Sequence, residues 1–186
     1  MPAPIDEKTI LDAALSVWRE EGFRNATTRK VAARARVGEV TLFRRFGDKT
    51  ALFGAALATE ADRFQAAGAR YSGNLKTDLV RVVEAYGALL ERNGAIVLDF
   101  LLEAPRNDQL RAIAPVPMAA MASIAALLAR YQEAGALKPG NPFDLVLSLL
   151  GPVIMGHAIS KAQPAIQADF TPSAHVEMWL TGRGAE

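Results

Sequence analysis

The sequence predicts an all-α fold, and three observations carry that expectation. Alanine and leucine dominate the apolar half of a 186-residue chain, and no run alternates apolar with polar residues over the length of a strand. Leu75, Leu79, Val82, Val83, Tyr86, Leu89 and Leu90 recur at three- and four-residue spacing over four turns, the pattern of one buried helical face. Asp6, Thr27 and Asp48 stand where N-caps belong, while Gly22, Gly47 and Gly135 stand where helices should stop.

Taken in order, Asp6 caps a helix with Glu7 in its first turn and Ile10, Leu11, Ala14, Leu15 and Trp18 on its apolar face. Gly22 is placed to stop it in the αL conformation, with Phe23 making the hydrophobic contact. Thr27 caps a second helix of about two turns, apolar at Val31, Ala32 and Ala35. After a break at Arg36-Val37-Gly38 a third short helix runs from Glu39 to Phe46, with Leu42 and Phe46 on one side. Gly47 ends it and Asp48 caps the next.

From Lys49 the expected helices lengthen. One runs to about Gly68 on Leu52, Phe53, Ala56, Leu57 and Phe64. Tyr71 to Asn74 is a break. The helix from Leu75 is expected to stop at Asn93-Gly94, and a short one follows from Ile96 to Ala104, stopped by Pro105. A short piece near 107–114 precedes a helix from about Met118 to Ala134. Lys138 to Asn141 is a turn, and Pro142 opens a helix to about Ser160, bent at Gly151-Pro152. Gln163 to Phe170 reads as a loop, and Pro172 opens a last helix ending near Leu180.

Composition excludes several functions. With no cysteine and only His157 and His175 as histidines, thiolate chemistry and a histidine-rich metal site are not expected. The N-terminus lacks the basic and apolar regions of a signal peptide. The most apolar stretch, Phe143 to Ile159, contains Asp144, Pro152 and His157 and falls short of the roughly 20 apolar residues of a membrane span. A cytoplasmic location is expected. No serine has the context of a catalytic triad, and Gly47-Asp48-Lys49-Thr50 lacks the glycines and preceding strand of a phosphate loop. No enzyme, cofactor or metal is expected.

The net charge of +1 conceals a strong asymmetry. Residues 24–49 hold eight Lys/Arg against Glu39 and Asp48, a net +6, whereas the other residues, thirteen basic and eighteen acidic, carry −5. A basic segment of helix, tight break and short helix is the arrangement that places a recognition helix in the major groove of DNA.

Residues 10–57 resemble the DNA-binding domain of the TetR family of bacterial transcriptional regulators. The matching positions, in order and at the right spacing, are Ile10-Leu11 with Ala13-Ala14, Gly22-Phe23, Thr27-Thr28, Ala35-Arg36-Val37, Thr41-Leu42-Phe43, Phe46, Lys49 and Leu52. Four positions depart from the family pattern. Arg36 stands where the turn has glycine, so the turn must avoid a positive φ or bear its cost. Gly38 replaces the capping serine, Phe43 a tyrosine, and Arg45 an aromatic residue or histidine.

The resemblance implies a helix-turn-helix DNA-binding domain over 1–48 and a helical regulatory and dimerisation domain over 49–186. It implies phosphate contacts from Thr28, Lys49 and Arg45, and base-edge contacts from Arg29, Glu39, Val40 and Thr41. Phe43 is to pack on sugar or base, and Gly38 and Arg44 complete the set. The chemistry agrees: Arg29 suits guanine, Glu39 a cytosine amino group, Val40 a thymine methyl. The expected partner is a palindromic operator in double-stranded DNA, read by a homodimer whose recognition helices sit about 34–36 Å apart. The interface is expected on the last two helices, at Leu145, Leu149, Val153, Val176, Trp179 and Leu180.

The expected mode is repression relieved by a small apolar ligand. Tyr86, Leu89, Phe100, Leu101, Met118, Met121, Met155 and His157 are its candidate pocket, with Ala119, Ala120, Ala122, Ala125 and Ala126 leaving room between helices. The resemblance implies that ligand entry shifts the helix beginning at Lys49. Asp99 and Glu103, four residues apart, suit either a cationic ligand or a solvated stripe. Control by a protein partner, or a helical carrier or enzyme without a DNA role, are the alternatives.

Overall fold

The Lys8 amide donates to Asp6 Oδ1 at 3.2 Å, so the first helix, α1 (Glu7–Asn25), begins at its expected cap. The computed structural model describes residues 6–165 and 170–183. α1 does not end at Gly22. That glycine has φ 73° and ψ 158°, positive φ but outside αL, and it kinks the helix rather than closing it. One more turn carries on to Asn25, and the Ala26 amide closes it on the Gly22 carbonyl at 3.0 Å.

α2 (Thr28–Ala35) starts where Thr27 Oγ1 accepts from the Lys30 amide at 3.3 Å. It ends at Arg36, whose φ of 56° and ψ of 43° are left-handed. This is the one non-glycine residue with positive φ among those described. The turn therefore bears the strain instead of avoiding it, which costs about 1–2 kcal/mol for an L-residue. α3 (Glu39–Phe46) follows, then Gly47 with φ 86°, where glycine carries no penalty. Asp48 Oδ1 accepts from the Ala51 amide at 2.8 Å and opens α4 (Lys49–Gly68).

The remaining elements are α5 (Leu75–Glu103), a single 3-10 turn at Ala104–Arg106, α6 (Asp108–Ile113), α7 (Pro115–Glu133), α8 (Pro142–Ala162) and α9 (Pro172–Arg183). The regular elements among the described residues are all helical, as composition and periodicity predict. Part of the expected loop Gln163–Phe170, residues 166–169, lies outside the described residues, as does the N-terminus up to residue 5.

Two further boundaries differ from those the sequence predicts. The two helices expected on either side of Asn93-Gly94 are one, kinked at Asn93 (φ −137°, ψ 22°). Gly94 acts by close packing, not as a stop: a Cβ there would overlap the imidazole Nε2 of His157. α7 begins at Pro115, because prolines in a first turn forfeit no helical hydrogen bond. α8 is continuous across Gly151-Pro152 and is 21 residues long. By length and composition it is sufficient to cross a membrane, although its interrupted apolar run predicts a stretch short of a span. One face of it, Leu145, Val146, Leu149, Leu150 and Val153, is buried within the chain.

The chain divides into two compact units. One comprises the chain up to Ala61 together with Ala95–Pro117, the other Asp62–Gly94 and the chain from Met118. The first has a continuous core in which Trp18, Phe23 and Phe53 meet at centroid distances of 4.9–5.5 Å. Ile10, Ala14, Val31, Leu42, Leu52, Ile96 and Leu110 surround them. Buried aromatics at these separations favour tilted or edge-on contacts over a face-to-face sandwich.

In the second unit Asp78 is fully buried. It accepts from the Ser72 amide (2.7 Å) and hydroxyl (2.6 Å), Tyr131 Oη (2.5 Å) and Arg81 (2.8 Å). Burial alone would raise this carboxyl, but the hydrogen bonds from Ser72, Tyr131 and Arg81 outweigh it and hold it below its ordinary value. Burial, with Asp78 beside it, pushes Tyr131 up to about 12. α9 is tied to α8 by His175 Nε2 donating to the Leu149 carbonyl (2.8 Å) and Trp179 Nε1 donating to Ser148 Oγ (3.1 Å).

Candidate DNA interface

α2 and α3 are held together by apolar residues on their inner sides and by one polar contact at their entrances. Val31, Ala32 and Ala35 of α2 and Leu42 of α3 are buried in the first unit's core, and Phe46 and Val37 pack against it. Burying Leu42 fixes which side of α3 faces outward. Val40, Phe43, Arg44 and Arg45 are exposed, and Thr41 is half-buried. At the entrances, Thr28 Oγ1 donates to Glu39 Oε1 at 2.7 Å. Gly38 is the extended N-cap of α3 and offers no side-chain cap.

The basic residues fall into two groups. Arg34 donates twice to Glu20, at 2.7 and 2.6 Å, and once to Ser16 at 2.7 Å. The hydrogen bonds from Arg34 and Ser16 pull Glu20 down to about 2. Lys30 pairs with Glu21, Arg24 with Glu103 at 2.9 Å, and Arg45 with Glu7 at 2.7 Å. Lys49 is half-buried. Its ammonium donates to the Phe23 carbonyl at 2.6 Å and lies 4.3 Å from the Phe23 ring centroid. Burial lowers its pKa. Arg29, Arg36 and Arg44 have no side-chain hydrogen bond or ion pair among the described residues.

Of the residues expected at the DNA, then, Arg29, Val40, Phe43 and Arg44 are exposed, with no partner among the described residues engaging a polar group. Thr28 and Glu39 bond to one another, Arg45 is engaged by Glu7, and Lys49 is turned into a carbonyl and an aromatic ring. Arg36, in its left-handed turn, adds a third cation without a partner among the described residues. Asp99 is neither a ligand counter-ion nor a solvated stripe. Its Oδ2 accepts from Trp18 Nε1 (2.6 Å) and the Phe23 amide (2.7 Å).

Residues 10–56 match the family model of the bacterial regulatory proteins, tetR family. The HTH-type transcriptional regulator YvkB of Bacillus subtilis (strain 168) is 29% identical over 135 residues, covering 72% of this chain and 71% of its own length. The chain carries a TetR-family DNA-binding region. Solved structures extend the likeness beyond the helix-turn-helix. GusR of Salmonella enterica superposes with a TM-score of 0.75 at 20% identity over 97% of this chain and 95% of its own. The fatty acid degradation regulator FadR from Bacillus halodurans does so with 0.73 at 16% over 95% and 96%. The flavonoid-responsive regulator FrrA does so with 0.67 at 19% over 96% of both. The matched family and the Bacillus subtilis relative are transcriptional regulators, not enzymes.

The residues expected to line a ligand pocket differ in exposure. Leu101, Met118 and Met155 are exposed, and Leu89 and Met121 are half-buried. Phe100 packs on the first unit's core, and Tyr86 is buried beside Phe64 at 5.9 Å between ring centroids. His157 lines a cavity in the second unit. That cavity holds about 520 Å³ between α5 and α8 and is walled by Val83, Leu90, Glu91, Val153 and Lys161 among others. His157 Nδ1 lies 3.4 Å from Glu91 Oε1, and Lys161 Nζ 3.6 Å from Glu91 Oε2. No local sequence signal marks this cavity, because its walls come from helices some seventy residues apart.

The residues expected at the dimer interface lie on α8 and α9. Leu145, Leu149, Val153, Val176 and Trp179 are buried within one chain, and Leu180 is half-buried. The large exposed apolar residues described on the same helices are Phe143, Leu147, Met155 and Ile159 on α8 and Met178 on α9.

Proposed function

We propose that this regulator is a cytoplasmic homodimeric repressor that binds a palindromic operator and is released by a small, mostly apolar ligand. DNA contact is assigned to residues 1–48, regulation and dimerisation to 49–186. The observation that carries the DNA assignment is the outward face of α2 and α3, where Arg29, Arg44, Val40 and Phe43 are exposed beside Arg36. Thr28, Gly38, Glu39, Thr41, Arg45 and Lys49 complete the proposed contact set, the engaged ones by exchanging a protein partner for a phosphate or base.

Dimerisation is supported by an apolar stripe. Leu147, Met155 and Ile159 lie at multiples of four residues along one side of α8 and are all exposed, as is Met178 of α9. Such a stripe on a monomer is a surface that association would cover. The residues buried behind it, Leu145, Leu149, Val153, Val176, Trp179 and Leu180, hold α8 and α9 in place for that contact.

Ligand control is supported by the α5–α8 cavity, which lies within the 300–1,000 Å³ range usual for small-molecule sites. Its apolar walls and its polar end at Glu91, His157 and Lys161 suit a lipophilic molecule with one polar group. FrrA is described as flavonoid-responsive and FadR as a regulator of fatty acid degradation, compounds of that general kind. Displacement of α4 by the ligand would alter the spacing of the two recognition helices, so a ligand need only favour the non-binding spacing.

The test is selection of operators from random duplexes, followed by affinity measurements with and without flavonoids and long-chain acids. Gly156 lines the cavity, and a Cβ there meets nothing within 4 Å, so Gly156→Phe fills the space with little strain. The expected result is release of DNA by a compound that binds the wild type and no release in Gly156→Phe. Compounds that bind without changing operator affinity would refute the sensor mechanism, and a monomer by light scattering at micromolar concentration would refute the dimer.

A further inference from the structure

The face that α3 turns outward is apolar where it is most exposed. Val40 is 81% exposed and Phe43 50%, although the first unit's core lies directly behind them at Leu42. The carboxylate of the same helix is withdrawn: Glu39 accepts from Thr28 Oγ1 at 2.7 Å, so accepting from a cytosine amino group means giving up that bond. Val40 and Phe43 are three residues apart, neighbours on one side of a helix with Cβ atoms about 5–6 Å from each other. The free cations Arg29, Arg36 and Arg44 lie on the same α2–turn–α3 segment and complement phosphate. An apolar pair among cations fits the major groove, whose one apolar feature is the C5-methyl group of a pyrimidine.

We propose that each operator half-site is recognised through two pyrimidine C5-methyl groups, one packed on Val40 and one on Phe43, with the arginines holding the backbone. This rests on the DNA-binding reading above and adds what the recognition helix discriminates. The recognised group is the methyl and not the thymine ring: 5-methylcytosine offers the same surface, and cytosine and uracil do not. Removing one buried methyl loses about fourfold in affinity, so a half-site stripped of both loses about sixteenfold.

The experiment starts from the operator enriched from random duplexes and replaces each thymine in turn by deoxyuridine, with wild-type protein. Two positions per half-site are expected to show the fourfold loss. At those positions a C·G pair in place of T·A weakens binding, and methylating that cytosine at C5 restores it. Val40→Ala abolishes the deoxyuridine effect at one position and Phe43→Ala at the other, while both variants keep the wild-type unfolding midpoint because both side chains are exposed. An operator that tolerates deoxyuridine throughout, or an unchanged deoxyuridine penalty in both variants, overturns the proposal and leaves the DNA-binding reading standing. A selection that enriches no sequence overturns both.

Discussion

Thr28 Oγ1 donates to Glu39 Oε1 at 2.7 Å, eleven residues away, and so joins the first turn of α2 to the first turn of α3. Apolar packing between two eight-residue helices fixes their distance more firmly than their rotation about each other. A charge-assisted bond at the entrances fixes that rotation as well, and with it the direction in which Val40 and Phe43 point.

Thr28→Val retains the side-chain shape and removes the donor. A hydrogen bond to a charged group is worth about 1.5–3 kcal/mol when shielded, and this one is part-buried, so a loss of about 1 kcal/mol is expected in urea unfolding, with Thr28→Ser close to wild type. Glu39 is released toward the groove, so operator selection with Thr28→Val should shift base preference. Unchanged preference and stability would show that the bond orients nothing.

Arg36 holds a left-handed conformation, and Arg36→Gly relieves it. The strain of about 1–2 kcal/mol is partly offset by the greater freedom of glycine in the unfolded chain, which leaves a net gain of about 0.5–1 kcal/mol. The same substitution removes a free cation, so affinity for all DNA sequences should fall together. A rise in the unfolding midpoint with weaker, equally selective binding is the expected pair of results.

Asp99 Oδ2 serves two donors, the indole of the buried Trp18 and the Phe23 amide. Asp99→Ala leaves both without a partner, at about 1–3 kcal/mol for each buried group. A loss of about 2–4 kcal/mol is expected, with a change in Trp18 fluorescence. Asp99→Asn, which keeps one oxygen, should lose less. A loss under about 1 kcal/mol would mean water takes the place of the carboxylate.

Glu20, drawn down to about 2 from an ordinary 4.5 by Arg34 and Ser16, makes acid stability directional. A carboxyl with a depressed folded-state pKa contributes fully above its unfolded value and loses that contribution as pH falls toward the folded one. The stability difference between wild type and Glu20→Gln should therefore be constant above about pH 5 and close between pH 4.5 and 2. A difference that persists below pH 2 would assign the effect to packing.

The caps at Asp6, Thr27 and Asp48, the short α2 and α3 and the break at Gly47 were legible because each is decided within four residues of chain. Leu42 as an inward anchor followed from the same periodicity. What the sequence concealed is long-range. Nothing near Arg45 announces Glu7, and nothing near Arg34 announces Glu20, so a run of cations reads as free when it is half engaged. Gly94 illustrates the opposite error. A glycine after an asparagine reads locally as a stop, whereas the imidazole of His157, sixty-three residues on, occupies the space its Cβ would take. Residue type likewise does not determine which side of α5 faces α8.

The pairing of Arg24, Lys30, Arg34 and Arg45 with acids of the same unit has a kinetic consequence. Seen from beyond a Debye length, about 8 Å at physiological salt, each pair is a small dipole and contributes little field. Steering of the protein toward DNA thus rests on a few unpaired charges, and encounter should be only weakly accelerated as salt is lowered. At contact the balance changes, since a phosphate competes with each carboxylate for its arginine or lysine. Such exchanges occur after docking, so they should lengthen residence on a well-fitted site far more than they hasten arrival at any site, and stopped-flow rates measured across a salt series separate the two.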